Sequence, residues 1–146
     1  MPRWPALLLA ALAPVVLPGC AAPAADTSTT PYTCLLPSEH RMLVAELFFG
    51  RNIRGRAPLS DAEWADFATQ IVTSQFPDGF TAMDGSGQWQ NPATRQIAHE
   101  PTKILLIAAD RAADLAQRLT TVIDAYKERY HQQSVGIITR DSCGAF

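Results

Sequence analysis

The segment Asp84-Gly-Ser-Gly-Gln-Trp89 is the densest polar and aromatic run of the chain. With Glu46, Arg51, His99 and Glu100 it offers carboxylates, a guanidinium, an imidazole and an indole, a set suited to holding a small polar or aromatic ligand. Gln88 and Trp89 would bring an amide and a ring to the same place. The same glycines equally suit a bend in a long hairpin, with Trp89 packed over a sheet and Asp84 capping the bend. Gly85-Ser86-Gly87 is not a nucleophile elbow, which needs G-x-S-x-G. Nor is it a dinucleotide loop, because Gln90 stands where the third glycine belongs and no helix follows. Glu46 lies in an apolar run, where burial alone would raise its pKa and fit it to general-base work. An ion pair with Arg51 or Lys103 would keep it ionised, and this structural role is the one expected. His40, His99 and His131 fall on different elements, and His99 and Glu100 are neighbours on an extended stretch and so point opposite ways. No metal site and no cofactor are expected, and His131 needs only the favourable field at a helix C-terminus.

The cysteines carry a different message. Arg3 and the apolar run Pro5 to Leu17 lead into Leu17-Pro18-Gly19-Cys20, the layout of a secretory signal. The run is too short for a bilayer-spanning helix, which takes about 20 apolar residues. Its end resembles the bacterial lipobox, which directs diacylglyceryl transfer to the cysteine thiol and cleavage before it, so residues 1–19 read as signal and Cys20 as the lipidated N-terminus. Ala22-Pro23-Ala24 offers an ordinary signal-peptidase site as the competing reading. Acyl chains at about 0.8 kcal/mol per buried methylene hold a protein on a membrane without a spanning helix. Ala21 after the cysteine leans toward the outer membrane. Residues 20–33 are rich in Ala, Pro, Thr and Ser and read as a flexible tether. Either cleavage removes Cys20 from disulfide chemistry and leaves Cys34 and Cys143 in an oxidising compartment, where they are expected to pair.

One domain over residues 34–146 suits a 146-residue chain that is 47% hydrophobic and 18% charged. A net charge of −2 leaves no basic footprint, which excludes nucleic acid as a partner. The run Arg41 to Phe49 reads as a strand buried on both faces. Ser60-Asp-Ala-Glu63 is a capping box that opens a helix over about 61–75, with Trp64, Phe67, Ile71 and Val72 on one face. Phe80 to Gln90 and Gln96 to Ala109 read as a hairpin. Asp110 is expected to cap a helix over about 111–131, with Leu115, Leu119, Val122, Ile123, Tyr126 and Tyr130 as its core stripe. Ser134 to Thr139 gives a last strand. The order βαββαβ predicts an α+β, ferredoxin-like fold, a four-stranded antiparallel sheet of order 4-1-3-2 with both helices on one face. Strand four beside strand one brings Cys34 and Cys143 together. The first and third strands are apolar on both sides, so the helix-free face calls for a cover, either a second copy forming a homodimer or the long hairpin folded over it.

The stretches Glu46-Leu-Phe-Phe-Gly-Arg51, Leu59-Ser-Asp-Ala-Glu-Trp-Ala-Asp-Phe67, Phe76 to Trp89, Glu100, Lys103 to Ile107, Tyr130 to Val135 and Cys143 to Phe146 resemble the bacterial family of small secreted or lipoprotein chains called domain of unknown function 3574. That resemblance implies the same fold and boundaries and assigns no activity. The residues themselves favour a membrane-anchored, non-enzymatic binding module on the periplasmic side of a bacterial membrane. The alternative is a dimeric α+β barrel enzyme of isomerase or cofactor-free oxygenase type, with Glu46 and His99 as acid/base groups. The anchor is testable at once: Cys20→Ser is expected to move the protein from the membrane to the soluble fraction, and unchanged fractionation would refute lipidation.

Overall fold

The structure, a computed structural model, describes residues 33–146. The residues expected to form the signal, the lipidated Cys20 and the tether, up to residue 32, lie outside the described residues. Thr33–Phe146 form one compact unit.

Four strands, β1 (His40–Gly50), β2 (Thr81–Gln90), β3 (Ile97–Ala109) and β4 (Gly136–Gly144), make one antiparallel sheet of order β2-β3-β1-β4. This is the expected order read from the other edge, with the expected crossovers. The first crossover is α1 (Asp61–Phe67), a π-helical segment over Ala68–Val72 and a last turn α2 (Thr73–Gln75). Ser60 starts it with the predicted capping box: its hydroxyl accepts the Glu63 amide at 3.2 Å and Glu63 accepts the Ser60 amide at 2.8 Å. The π-helical turn sets Phe67 and Val72 five residues apart yet both in the core. The second crossover is α3 (Leu115–Tyr130), which ends with His131 in the left-handed conformation, where its amide and that of Gln132 reach the Lys127 carbonyl.

Strand alternation decides which residues meet the helices. Ala45, Leu47 and Phe49 of β1 and Leu105 and Ile107 of β3 are buried against α1 and α3. The centre of this core is aromatic. Phe49 lies edge-on to Tyr126 with ring centroids 4.7 Å apart, and Trp64, Phe67 and Tyr130 complete the cluster. Tyr126 also donates its hydroxyl to the Gly50 carbonyl at 2.9 Å, tying α3 to the end of β1. Burial pushes the Tyr126 hydroxyl far up, so it remains a donor throughout the working range.

Two boundaries depart from expectation. The second long helix begins at Leu115, and Asp110 does not cap it; the Asp110 carboxylate instead meets His40 Nε2 at 2.9 Å. β4 continues past Thr139 to Gly144, because an edge strand with one side open to water accepts the polar run Arg140-Asp-Ser142. That extension carries Cys143 opposite Arg41, and Cys34 bonds to it as a disulfide with Cα atoms 5.6 Å apart. The bridge closes a loop of 109 residues. Loop-closure entropy for about 100 residues gives roughly 4.7 kcal/mol as an upper figure. Cys143→Ser is therefore expected to lower unfolding free energy by about 2–5 kcal/mol in denaturant titrations; an unchanged midpoint would remove the staple from the account.

Candidate ligand cleft and ion cluster

The sheet separates the residues of interest onto two faces, because residues directly opposite one another across an antiparallel pair share a face. On the helix-covered side, Arg51 follows Gly50 at the end of β1 and Lys103 sits opposite Phe49. The Lys103 ammonium lies 3.0 Å from Asp61 and 2.6 Å from Asp84, and the Arg51 guanidinium lies 3.2 and 3.5 Å from the same carboxylates. Arg51 also donates to the Leu59 carbonyl at 2.7 Å. Both cationic side chains are nearly buried, 15% and 10% exposed, while the carboxylates face water. A cation taken out of water needs compensating charge, and here two carboxylates answer two cations. The cluster joins β1, β2, β3 and the first turn of α1. Arg51 and Asp84, expected at a ligand site, thus serve to hold these four elements together.

Glu46 lies on the other, helix-free face. Its ion pair is real but its partner is Arg140, which donates at 2.6 Å from the neighbouring edge strand; the expected partners Arg51 and Lys103 are on the opposite side of the sheet. His99 and Gln88 face each other at the far end of the β2–β3 hairpin, on the helix side. Glu46 pairs with Leu106, seven residues along β3 from His99 and on the other face, about 23 Å away at 3.3 Å per residue. The two side chains do not converge, so acid/base work by this pair has no shared space.

Trp89 and Glu100 do come together, on the helix-free face. Rows of facing residues run across it: Trp89 and Ala98; Gly87 and Glu100; Gly85, Thr102 and Gly50; Met83, Ile104, Phe48 and Gly136. Around Thr102 and Glu100 the neighbours are glycines, and the side chains of Glu100, Ile104 and Thr102 lie over Gly50, Gly85 and Gly87. The space is specific at Gly50, where an added Cβ would lie 2.5 Å from Glu100 Oε1, so the carboxylate lies across the glycine. Glu100 Oε1 accepts the Asn52 amide at 3.3 Å. Asn52 in turn donates to the His99 carbonyl at 3.1 Å and accepts from the Gln132 side chain at 2.8 Å, drawing the loop after α3 toward this end of the sheet. The result is a cleft of about 440 Å³ whose lining includes Phe48, Arg54, Trp89, Glu100, His131 and Gln132. Trp89 is half exposed there. Arg54, which no motif singled out, and His131, expected only to meet the field at a helix C-terminus, both line this cleft. A second cleft of about 460 Å³, between Met42, Phe80, Leu106 and Phe146, is more apolar.

No helix of the described residues is long and apolar enough to cross a membrane. Cys34, Glu39 and Cys143 lie close enough to suggest a metal site, but both sulfurs are committed to the disulfide.

A split βαββαβ sheet with a charge cluster under one face and a cleft on the other defines a small α+β domain of ferredoxin-like type. The chain belongs to the family described as protein of unknown function (DUF3574), which it matches over residues 44–146. Its fold is similar to that of a phage SAM lyase in complex with S-methyl-5'-thioadenosine, with a TM-score of 0.53 and 12% identity over 72% of this chain and 90% of the lyase. The apo state of a phage SAM lyase gives a TM-score of 0.52 and 13% identity, over 73% and 90%. At that identity the likeness is one of fold. No curated protein matches the chain in sequence.

The ion cluster sets a pH dependence. The Lys103 hydrogen bond, then its charge and that of Arg51, holds the Asp61 carboxyl below the usual range. Stability from a depressed carboxyl is complete above its unfolded pKa and is lost as pH falls through the folded one. Burial pulls the Lys103 ammonium down, but its bonds to Asp84 and Asp61 outweigh this and leave its pKa raised. Stability from a raised ammonium is complete below its unfolded pKa and is lost as pH rises through the folded one. Melting temperature is therefore expected to hold between about pH 4 and pH 10 and to fall outside that window. In Lys103→Met the acid limb carried by Asp61 and the alkaline limb carried by Lys103 should both shrink; superimposable profiles would show that the cluster contributes nothing.

Proposed function

We propose that this chain is an exported envelope lipoprotein, anchored through Cys20 on the periplasmic side of a bacterial membrane and leaning to the outer membrane, whose domain is a non-enzymatic module that binds a small ligand in the Trp89–Glu100 cleft. The observation that carries this reading is the cleft itself: about 440 Å³, in the range of small-molecule sites, with a half-exposed indole and the Glu100 carboxylate held across Gly50. The residues that do chemistry elsewhere are paired off, Glu46 with Arg140 and Arg51 and Lys103 with Asp61 and Asp84. The tether keeps the domain at the membrane while leaving its cleft free to sample the periplasm. The phage lyase of similar fold carries S-methyl-5'-thioadenosine, and nothing of its chemistry is transferred to this chain, whose reading rests on its own residues.

Beyond the cleft the helix-free face stays apolar, with Val44, Leu106 and Ala108 half-buried and Met83 and Ile138 exposed by 43% and 54% around the Glu46–Arg140 pair. This surface suits a second copy, which would cover it while leaving Glu46 and Arg140 compensated. Native mass spectrometry of the full chain, extracted in mild detergent from bacterial envelopes, tests both statements. A retained small molecule, lost in Trp89→Ala, and a dimer mass, lost in Ile138→Lys, are expected. A ligand-free spectrum would overturn the binding reading, and a monomer mass the pairing.

A further inference from the structure

Resting on the anchored reading above, we infer that the disulfide end of the sheet is a bilayer-contacting tip, at which Leu35, Leu36 and Phe146 enter the interface of the membrane that holds Cys20. Leu35 and Phe146 are the two most exposed large apolar side chains among the described residues, and Leu36 is half exposed. Covalent connection puts them at one end of the sheet. Cys34 is bonded to Cys143 with Cα atoms 5.6 Å apart, Leu35 and Leu36 follow the first cysteine, and Phe146 lies three residues past the second. The two leucines sit on a fixed turn: the Glu39 amide donates to the Leu36 carbonyl at 3.0 Å, the Leu36 amide donates to Glu39 Oε2 at 2.9 Å, and a Glu39 oxygen lies within 4.8 Å of both sulfurs. A backbone held in this way has little ordering left to lose on docking. Phe146 also borders the more apolar cleft with Met42, so the apolar surface continues from the tip onto the helix-free face.

The point where the chain enters the domain names the occupant. The stretch from Cys20 to Thr33 spans at most about 45 Å and joins the domain beside Cys34. β1 runs from His40 at this end to Gly50, about 33 Å away, where Trp89 and Glu100 lie. A domain anchored through Cys20 is therefore held closest to the bilayer by its disulfide end, with the Trp89–Glu100 cleft at the far end. The charges around the tip cancel: His40 meets Asp110, Arg111 meets Asp141, and Glu39 matches Arg41 in number. No excess of positive charge is there to attract anionic headgroups. The contact is an apolar one, made with the boundary of headgroups and acyl chains.

Fluorescence quenching by vesicles of brominated phosphatidylcholine, with the membrane-extracted protein reconstituted into them, tests the contact. Leu36→Trp places an indole at the tip, read as the difference from the parent chain, while Trp89 reports from the far end. The tip indole is expected to be quenched several times more strongly than Trp89, in low and high salt alike. Leu35→Asp and Phe146→Asp, both at fully exposed positions, should each lower the ratio of docked to undocked tips about tenfold with the melting temperature unchanged. A tip indole quenched no better than Trp89, or quenching abolished by salt, would overturn the tip contact while Cys20→Ser still releases the protein from membranes. A dimer mass that Leu35→Asp abolishes, with a tip indole indifferent to brominated lipid, would assign the patch to a second copy and overturn it as well. Unchanged fractionation of Cys20→Ser would overturn the anchored reading, and the tip contact with it.

Discussion

Three consecutive residues at the end of β1 do three different things, and the strict alternation of a strand is the constraint behind all of them. Phe49 points to the helices and meets Trp64, Phe67 and Tyr126. Gly50 faces the other side, where the absence of a Cβ lets the Glu100 carboxylate lie across the strand. Arg51 returns to the helix side and joins Lys103 between two carboxylates. A register slip of one residue would send the aromatic ring to the open face and the guanidinium into the cleft. The Tyr126 hydroxyl on the Gly50 carbonyl links this point to α3, so core, ion cluster and cleft share one short stretch of backbone.

The two faces divide the labour. The helix side carries the apolar burial that holds the domain together, and the nearly buried Arg51 and Lys103 sit at its margin where exposed carboxylates answer them. The helix-free side carries little of that burial and is free to lose side chains to glycine at Gly50, Gly85 and Gly87, which would be costly in a packed core. A cleft is affordable only where the sheet has no helix to pack. The disulfide supports this arrangement from the opposite end of β1, fixing the edge strand β4 whose Gly136 lies beside Phe48.

Much of the architecture was legible from local chemistry. The capping box at Ser60, the apolar period of α3, the doubly apolar β1 and β3 and the paired cysteines each depend on interactions within a few residues or on a topology that few alternatives satisfy. The polar half of β4 was not legible, since Arg140-Asp-Ser142 has no strand pattern of its own and forms a strand only because β1 offers it hydrogen-bond partners. Asp110 looked like a cap because helix-start signals are permissive, and the pairing with His40 draws it elsewhere.

The candidate residues followed the same rule. Sequence by itself determined that Glu46 sits on an apolar strand, that Trp89 and Glu100 belong to a glycine-rich hairpin, and that Cys34 and Cys143 are fit to pair. Only the tertiary structure decided that Glu46 pairs with Arg140, that Arg51 and Asp84 brace four elements, that His99 is remote from Glu46, and that Arg54 and His131 join Trp89 and Glu100 at one cleft. The physical reason is range. Alternation and capping act between near neighbours along the chain, whereas ion pairing and cleft formation depend on which strand edges the crossovers bring side by side.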